Sequence, residues 1–178
     1  MHYQQVVLGI VNLLGGTAVL ASYLRELWIH PATRGDIWGG VPPTLKPLYT
    51  VGMLLAAAGY FAFTYFILFR LDPDRVQIAG RFGFAAFPIL YAFILFSSAL
   101  WMPLTFAMLE HPSGFLWWAI RATLAIVGLA SLCLLAALLT VEPAEPRMAY
   151  WFAVAGSAAF CVQTAIMDAL VWPAFFRL

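Results

Sequence analysis

Charged side chains are scarce in this sequence. Lysine and arginine together account for 9 of the 178 residues, and the net charge is +1. No basic run occurs of the kind that binds nucleic-acid phosphates, so we expect no nucleic-acid partner. With 64% hydrophobic residues and a mean hydropathy of +0.91, the composition lies outside the range of soluble domains.

Cysteine and histidine are also rare. Cys133 and Cys161 both lie in apolar segments, where cysteine usually packs as a small hydrophobic residue, so we expect no disulfide framework. The histidines, His2, His30 and His111, lie near the amino terminus or in loops, and no two of them are spaced four residues apart on a helix. The sequence therefore predicts no metal site and no haem held by intramembrane histidines.

Long hydrophobic segments fill most of the chain. Each of the five reaches the roughly 20 residues that a helix needs to cross about 30 Å of hydrocarbon. The segments are Val6–Leu24, Leu48–Phe69, Phe82–Leu109, Phe115–Val141 and Met148–Phe176. The sequence predicts an all-α, multi-pass integral membrane protein, in which residues 1–178 form one bundle of five transmembrane helices in a lipid bilayer.

The first loop, Arg25–Pro47, is the longest and is rich in glycine, proline and tryptophan. Glycine allows sharp turns and proline restricts φ, so this composition favours a structured loop over the mouth of the bundle. We expect Trp38 to face the bundle from such a loop. The alternative is that Trp28 and Trp38 anchor the loop at the membrane interface.

Two charged residues, Arg121 and Asp168, lie inside the fourth and fifth apolar segments. A charge within the bilayer is costly, so it requires a partner, a cavity or a function. Antiparallel helices bring these two residues to similar depth, and we predict an ion pair between them. In the alternative, Arg121 extends to the lipid headgroups.

Aromatic residues collect at the same end of the bundle. Tyr49 is near the start of the second helix and Trp101 near the end of the third, on the side covered by the Trp38 loop. An apolar cavity with a few convergent polar groups is the usual form of a small-molecule site, and aromatic walls suit a flat ligand. The alternative is an ordinary aromatic belt.

Three short motifs carry a resemblance to a known family. The motif in the third segment consists of Leu90, Tyr91, Leu95, Trp101, Leu104 and Phe106. The motif before and at the start of the second segment consists of Pro42, Pro43, Pro47, Leu48, Tyr49 and Thr50. The fifth segment contributes Trp151 and Ala155. In these positions the chain resembles the translocator protein family, the tryptophan-rich sensory proteins, whose third helix reads roughly LYxxQLxLNxxWxxLFF. Ile94 and Ser98 stand where that motif has glutamine and asparagine.

The resemblance implies a five-helix bundle that binds flat hydrophobic molecules such as porphyrins and sterols beneath the first loop. It also implies that Trp101 lines the pocket and that Tyr49 is a matched aromatic position. The resemblance implies that no cofactor is required and that the bound molecule is a porphyrin or a lipid. It also implies that a second copy of the chain is a partner, in a homodimer.

We therefore predict a membrane receptor or carrier for a tetrapyrrole-like or sterol-like molecule. The predicted ligand-binding residues are Trp38, Tyr49, Trp101, Arg121 and Asp168. Two alternatives stay open: a structural subunit of a larger membrane complex, and a small intramembrane isomerase or cyclase that uses Asp168 as acid or base.

Overall fold

The computed structural model describes residues 2–176. Its five long helices are α1 (Tyr3–Ile29), α2 (Lys46–Phe69), α3 (Ala86–Glu110), α4 (Gly114–Leu139) and α5 (Arg147–Phe175). Each of them is long and apolar enough to cross a membrane. The predicted all-α five-helix fold is confirmed, and these helices fit a multi-pass integral membrane protein.

The helices form a ring whose order differs from their order in the chain. α1 packs against α3, α3 against α4, α4 against α5, and α5 against α2. α1 and α2 close the ring, but they contact each other only sparsely although they are consecutive in the chain. The α1–α2 side is therefore the least tightly packed side of the bundle.

Glycines bring α2 and α5 into backbone contact. A Cβ atom at Gly59 would collide with the backbone of Gly156, and a Cβ atom at Gly156 would lie 2.7 Å from the Cα atom of Gly59. Only residues without a side chain allow this approach. Small-residue segments of the two helices thus pack against each other within one chain.

α1 extends beyond its apolar segment. The apolar segment ends at Leu24, but the helix continues to Ile29. The extra turn contains Glu26, which is buried and whose carboxylate is paired with Arg25 and with His30. Because the buried carboxylate has partners, the charged turn can remain helical at the bundle surface.

A small sheet joins the loops at the opposite end of the bundle. β1 (Gln77–Ile78) pairs with β2 (Val141–Glu142) in antiparallel register. Ile78 also exchanges two backbone hydrogen bonds with Phe82, of 2.7 and 3.0 Å. This turn delays the start of α3 to Ala86, four residues after the predicted start at Phe82.

Loop one, residues 30–45, folds back onto the end of α5. It contains a short 3₁₀-helix, Asp36–Trp38. The indole nitrogen of Trp172 donates to the carbonyl of Ile37, and the backbone nitrogen of Gly40 donates to the carbonyl of Phe175, each over 2.9 Å. Gly39 adopts φ +55°, and a Cβ atom there would lie 2.8 Å from the Phe176 ring. Loop one therefore covers this end of the bundle.

α5 changes its winding along its length. Arg147–Cys161 is α-helical, Val162–Val171 is π-helical, and Trp172–Phe175 is α-helical again. π-helical turns are rare and often occur at functional sites. Residues five apart are joined by backbone hydrogen bonds in a π-helix and lie closer together around the axis than in an α-helix, where about 140° separates them. The π-helical segment therefore brings the Gln163 side chain within reach of Asp168.

Candidate ligand-binding cavity

A cavity of about 580 Å³ lies inside the ring of helices. All five helices contribute to its wall, which is mostly apolar and includes Val19, Ala56, Ile94, Leu95, Val127 and Phe160. Its polar members are Asn12, Tyr23, Tyr60, Ser98, Trp101, Gln163, Thr164 and Asp168. The volume and this mixture of groups are typical of a site for a lipophilic small molecule.

Asp168 is the one charged residue among the described residues that line the cavity. Gln163 Nε2 donates a hydrogen bond of 2.8 Å to Asp168 Oδ1. The amide oxygen of Gln163 points towards Gly52 of α2, where a Cβ atom would collide with it. The absence of a side chain at Gly52 thus gives Gln163 room to hold the Asp168 carboxylate in place.

Trp101 lines the cavity and carries a buried hydrogen-bond donor. Its indole nitrogen is buried and has no hydrogen-bond partner within residues 2–176. The Trp101 ring packs against Tyr23, with ring centroids 5.8 Å apart, and edge-on against Trp172, with centroids 6.0 Å apart. An indole N–H can only donate, so its burial without an acceptor costs free energy.

A second pair of polar side chains, Tyr60 and Asn12, lies in the half of the bundle farther from loop one. The Tyr60 hydroxyl donates to Asn12 Oδ1 over 3.0 Å. The amide nitrogen of Asn12 has no partner among the described residues. The pair therefore links α1 to α2 across the sparsely packed side.

The cavity reaches the outer surface of the bundle between α1 and α2. Leu20 of α1 and Phe61 of α2 both line the cavity, yet they are 65% and 73% exposed. A side chain that borders a cavity and is also exposed marks its mouth. Because this surface belongs to two membrane-spanning helices, the mouth faces the lipid.

Trp38 and Tyr49 pack against each other beneath loop one and lie outside the cavity wall. Their rings meet edge to face with centroids 5.8 Å apart, and the Lys46 ammonium lies 5.6 Å from the Trp38 ring centroid. The Tyr49 hydroxyl donates to the carbonyl of Met167 over 3.0 Å. These two predicted site residues thus belong to a packed layer between loop one and the helix ends, whereas Trp101 and Asp168 line the cavity.

The predicted ion pair between Arg121 and Asp168 is wrong. Arg121 is exposed, and its guanidinium carbon lies 5.9 Å from the Trp117 ring centroid and 5.3 Å from that of Trp118. Asp168 is instead held by Gln163. The two charges occur at similar depths, but Arg121 lies on the outer face of α4, where its guanidinium interacts with two indole rings.

Several polar residues of the cavity were not among the predicted ligand-binding residues. These residues are Asn12, Tyr23, Tyr60 and Gln163, all of which line the cavity. The available signal was the occurrence of amides within apolar segments, where a polar side chain turns towards the bundle interior.

Comparison of the chain with models of protein families, with curated proteins and with solved structures finds no match in any of the three.

Proposed function

We propose that the protein is a membrane receptor or carrier that binds a flat hydrophobic small molecule, of sterol or tetrapyrrole size, within its ring of helices. The cavity of about 580 Å³ between the five helices supports this function most directly. The side chains that line a cavity of this volume lack packing partners on one side, so an occupant that fills it stabilises the fold.

Access from the bilayer fits a lipophilic ligand. The sparse contact between α1 and α2 and the exposure of Leu20 and Phe61 leave a route that does not pass through loop one. Loop one is hydrogen-bonded to α5 and covers the other route into the cavity. A ligand that is dissolved in the membrane can therefore enter sideways.

Filling the cavity from α1 tests the proposal. Gly16 lines the cavity, and a Cβ atom at this position meets no other atom within 4 Å. Gly16→Leu should place a side chain in the ligand volume and weaken binding by about tenfold or more. Binding is measured in lipid nanodiscs as energy transfer from tryptophan to dehydroergosterol, and as tryptophan quenching by protoporphyrin dimethyl ester.

Gly9→Leu is the matched control. Gly9 also lies on α1 with free space at its Cβ position, and it is outside the cavity wall. Leucine favours a helix more than glycine does, so both variants should remain folded. Equal loss of binding in both variants, or no saturable binding of either probe to the unmodified protein, would contradict the proposal.

A further inference from the structure

We infer that the ligand carries a basic amine at its polar end and that Asp168 is the residue that binds this amine. The inference rests on the proposed function and names the class of head group that the same cavity accepts. It concerns the end of the cavity nearer to loop one, because Asp168 lies in the part of α5 onto which loop one folds.

The Asp168 carboxylate is open to the cavity. Its Oδ1 atom accepts the hydrogen bond of 2.8 Å from Gln163, and its Oδ2 atom accepts none within residues 2–176. Neither oxygen is among the buried polar atoms that lack a partner in this part of the chain. Asp168 is only partly buried and lines the cavity, so its accessible surface faces the ligand volume. A head group in the cavity can therefore contact this carboxyl group directly.

No cation of the described chain balances the Asp168 carboxylate. The described residues that line the cavity include no lysine, arginine or histidine, and Asp168 forms no salt bridge within residues 2–176. Arg121 faces outwards onto the rings of Trp117 and Trp118. Gln163 supplies one hydrogen bond but no charge. A positive group that balances Asp168 has to come from the ligand.

An amine forms the same complex with either protonation state of Asp168. An ionised carboxylate binds the protonated amine directly. A neutral carboxyl group gives its proton to the free amine: the O–H bond breaks, its electron pair stays on the oxygen, and the nitrogen lone pair forms the new N–H bond. In both cases one proton lies between nitrogen and oxygen, and the pair has no net charge. The inference is therefore independent of the protonation state of the empty cavity.

An alcohol interacts with Asp168 more weakly in both states. It can donate a hydrogen bond to an ionised carboxylate, but the negative charge then stays unbalanced in an apolar cavity. It can accept a hydrogen bond from a neutral carboxyl group, but it is a far weaker base than an amine. Hydrogen bonds between charged groups are roughly twice as strong as those between neutral groups. The amine is therefore the head group that this cavity favours.

Head-group competition tests the inference. Cholesterylamine, cholesterol and cholesteryl methyl ether share one hydrocarbon body and end in an amine, an alcohol and an ether. Each competes with dehydroergosterol for the protein in nanodiscs of phosphatidylcholine, which has no net charge. Partitioning into empty nanodiscs is measured for each compound, so that affinities refer to its concentration in the membrane. The amine should bind about tenfold more tightly than the alcohol or the ether.

Variants assign the preference to Asp168. Asp168→Asn keeps the shape of the side chain and an oxygen that can accept from Gln163, but it removes the acid. The tenfold advantage of the amine should disappear, while dehydroergosterol should still bind. Asp74→Asn is the matched control, because this exposed aspartate lies in the loop between α2 and β1 and pairs with His2, 3.3 Å away. It should leave the advantage of the amine unchanged.

The outcomes separate the two proposals. If cholesterol binds the unmodified protein as tightly as cholesterylamine, the amine site is overturned and the receptor function stands; this comparison does not depend on the folding of any variant. An undiminished advantage of the amine in Asp168→Asn has the same consequence. Absence of saturable binding by dehydroergosterol, by the three competitors and by protoporphyrin dimethyl ester would overturn the proposed function and, with it, the amine site.

Discussion

At the scale of single residues, the position around a helix decides the role of an intramembrane charge. Asp168 turns into the ring and shares the cavity wall with Trp101, whereas Arg121 turns outwards onto Trp117 and Trp118. A long side chain with an aliphatic stem can tolerate an outer face near the headgroups, and a short carboxylate cannot reach as far. The interior location of Asp168 is therefore a better indicator of a functional site than the outer location of Arg121.

His30 is the residue that links the ends of α1 and α3. Its Nε2 atom lies 2.9 Å from Glu110 Oε1, its Nδ1 atom lies 3.4 Å from Glu26 Oε2, and its ring stacks on Phe106 with centroids 4.3 Å apart. His30→Ala should lower the free energy of unfolding by about 1 to 3 kcal/mol, because Glu26 is buried and loses a partner. Unfolding in mixed detergent micelles measures this change.

A second substitution identifies the cause. In the His30→Ala background, Glu26→Gln should recover part of the lost stability, because a neutral amide is less costly to bury than a carboxylate. If His30→Ala has no effect, or if the double variant is less stable than the single one, the buried Glu26 does not depend on His30.

At the scale of elements, the winding of α5 and its contact with α2 position the cavity. The π-helical segment Val162–Val171 brings Gln163 into hydrogen-bonding range of Asp168. The glycines at 59 and 156 hold the two backbones together. Between them, these features place the polar face of α5 opposite α1 and α3.

Gly59→Ala tests the helix contact. The added methyl group would collide with the Gly156 backbone, which cannot move aside as a flexible side chain can. We expect a loss of about 1 to 3 kcal/mol of stability, the usual cost of overpacking. The midpoint of unfolding in mixed micelles measures this loss.

Gly9→Ala is the control for the helix contact. This position has free space around its Cβ atom. Alanine favours a helix over glycine, so Gly9→Ala should be neutral or slightly stabilising. Equal stability of the two variants would show that the α2–α5 contact is looser than the structure indicates.

At the scale of the whole molecule, the ring is closed unevenly. α1 is much less buried than α4: in the most apolar part of each helix, 6% of the α1 residues and 50% of the α4 residues are buried. α1 is held mainly by α3 and is nearly free of α2. The bundle is therefore least stable locally at α1, next to the mouth of the cavity.

Hydrogen exchange in detergent micelles tests this uneven stability. Amides in the loop-one half of α1 should exchange before those in the middle of α4, because fewer buried contacts oppose local opening. A saturating cavity ligand should slow the exchange of α1 more than that of α4, since binding stabilises the closed ring. Exchange that is fastest in α4, or a ligand effect confined to α4, would contradict this ranking.

Much of the fold was predictable from local composition. The five apolar segments match the five helices to within a few residues, because hydrophobic length sets what can cross a membrane. The errors occur where local polar contacts extend or delay a helix, as the Glu26–His30 pair does for α1 and the Ile78–Phe82 turn does for α3. A pattern of hydrophobic residues does not reveal such contacts.

The candidate site was predictable only in part. The cost of an intramembrane charge singled out Asp168, and the resemblance singled out Trp101; both line the cavity. Depth along antiparallel helices suggested Arg121 as a partner, but depth carries no information about the direction around a helix. The π-helical register that pairs Gln163 with Asp168 shifts the angular position of every following residue, so α-helical spacing could not anticipate it.

The sequence by itself determined that the chain crosses a membrane five times and that few polar groups lie within its spans, because both follow from the cost of exposing polar atoms to hydrocarbon. Only the tertiary structure decided which of those groups face one cavity, that α1 and α2 remain apart, and that the cavity contains an acid without a cation. These properties depend on the rotation and order of the helices in the ring, which are set by packing between segments distant in the chain.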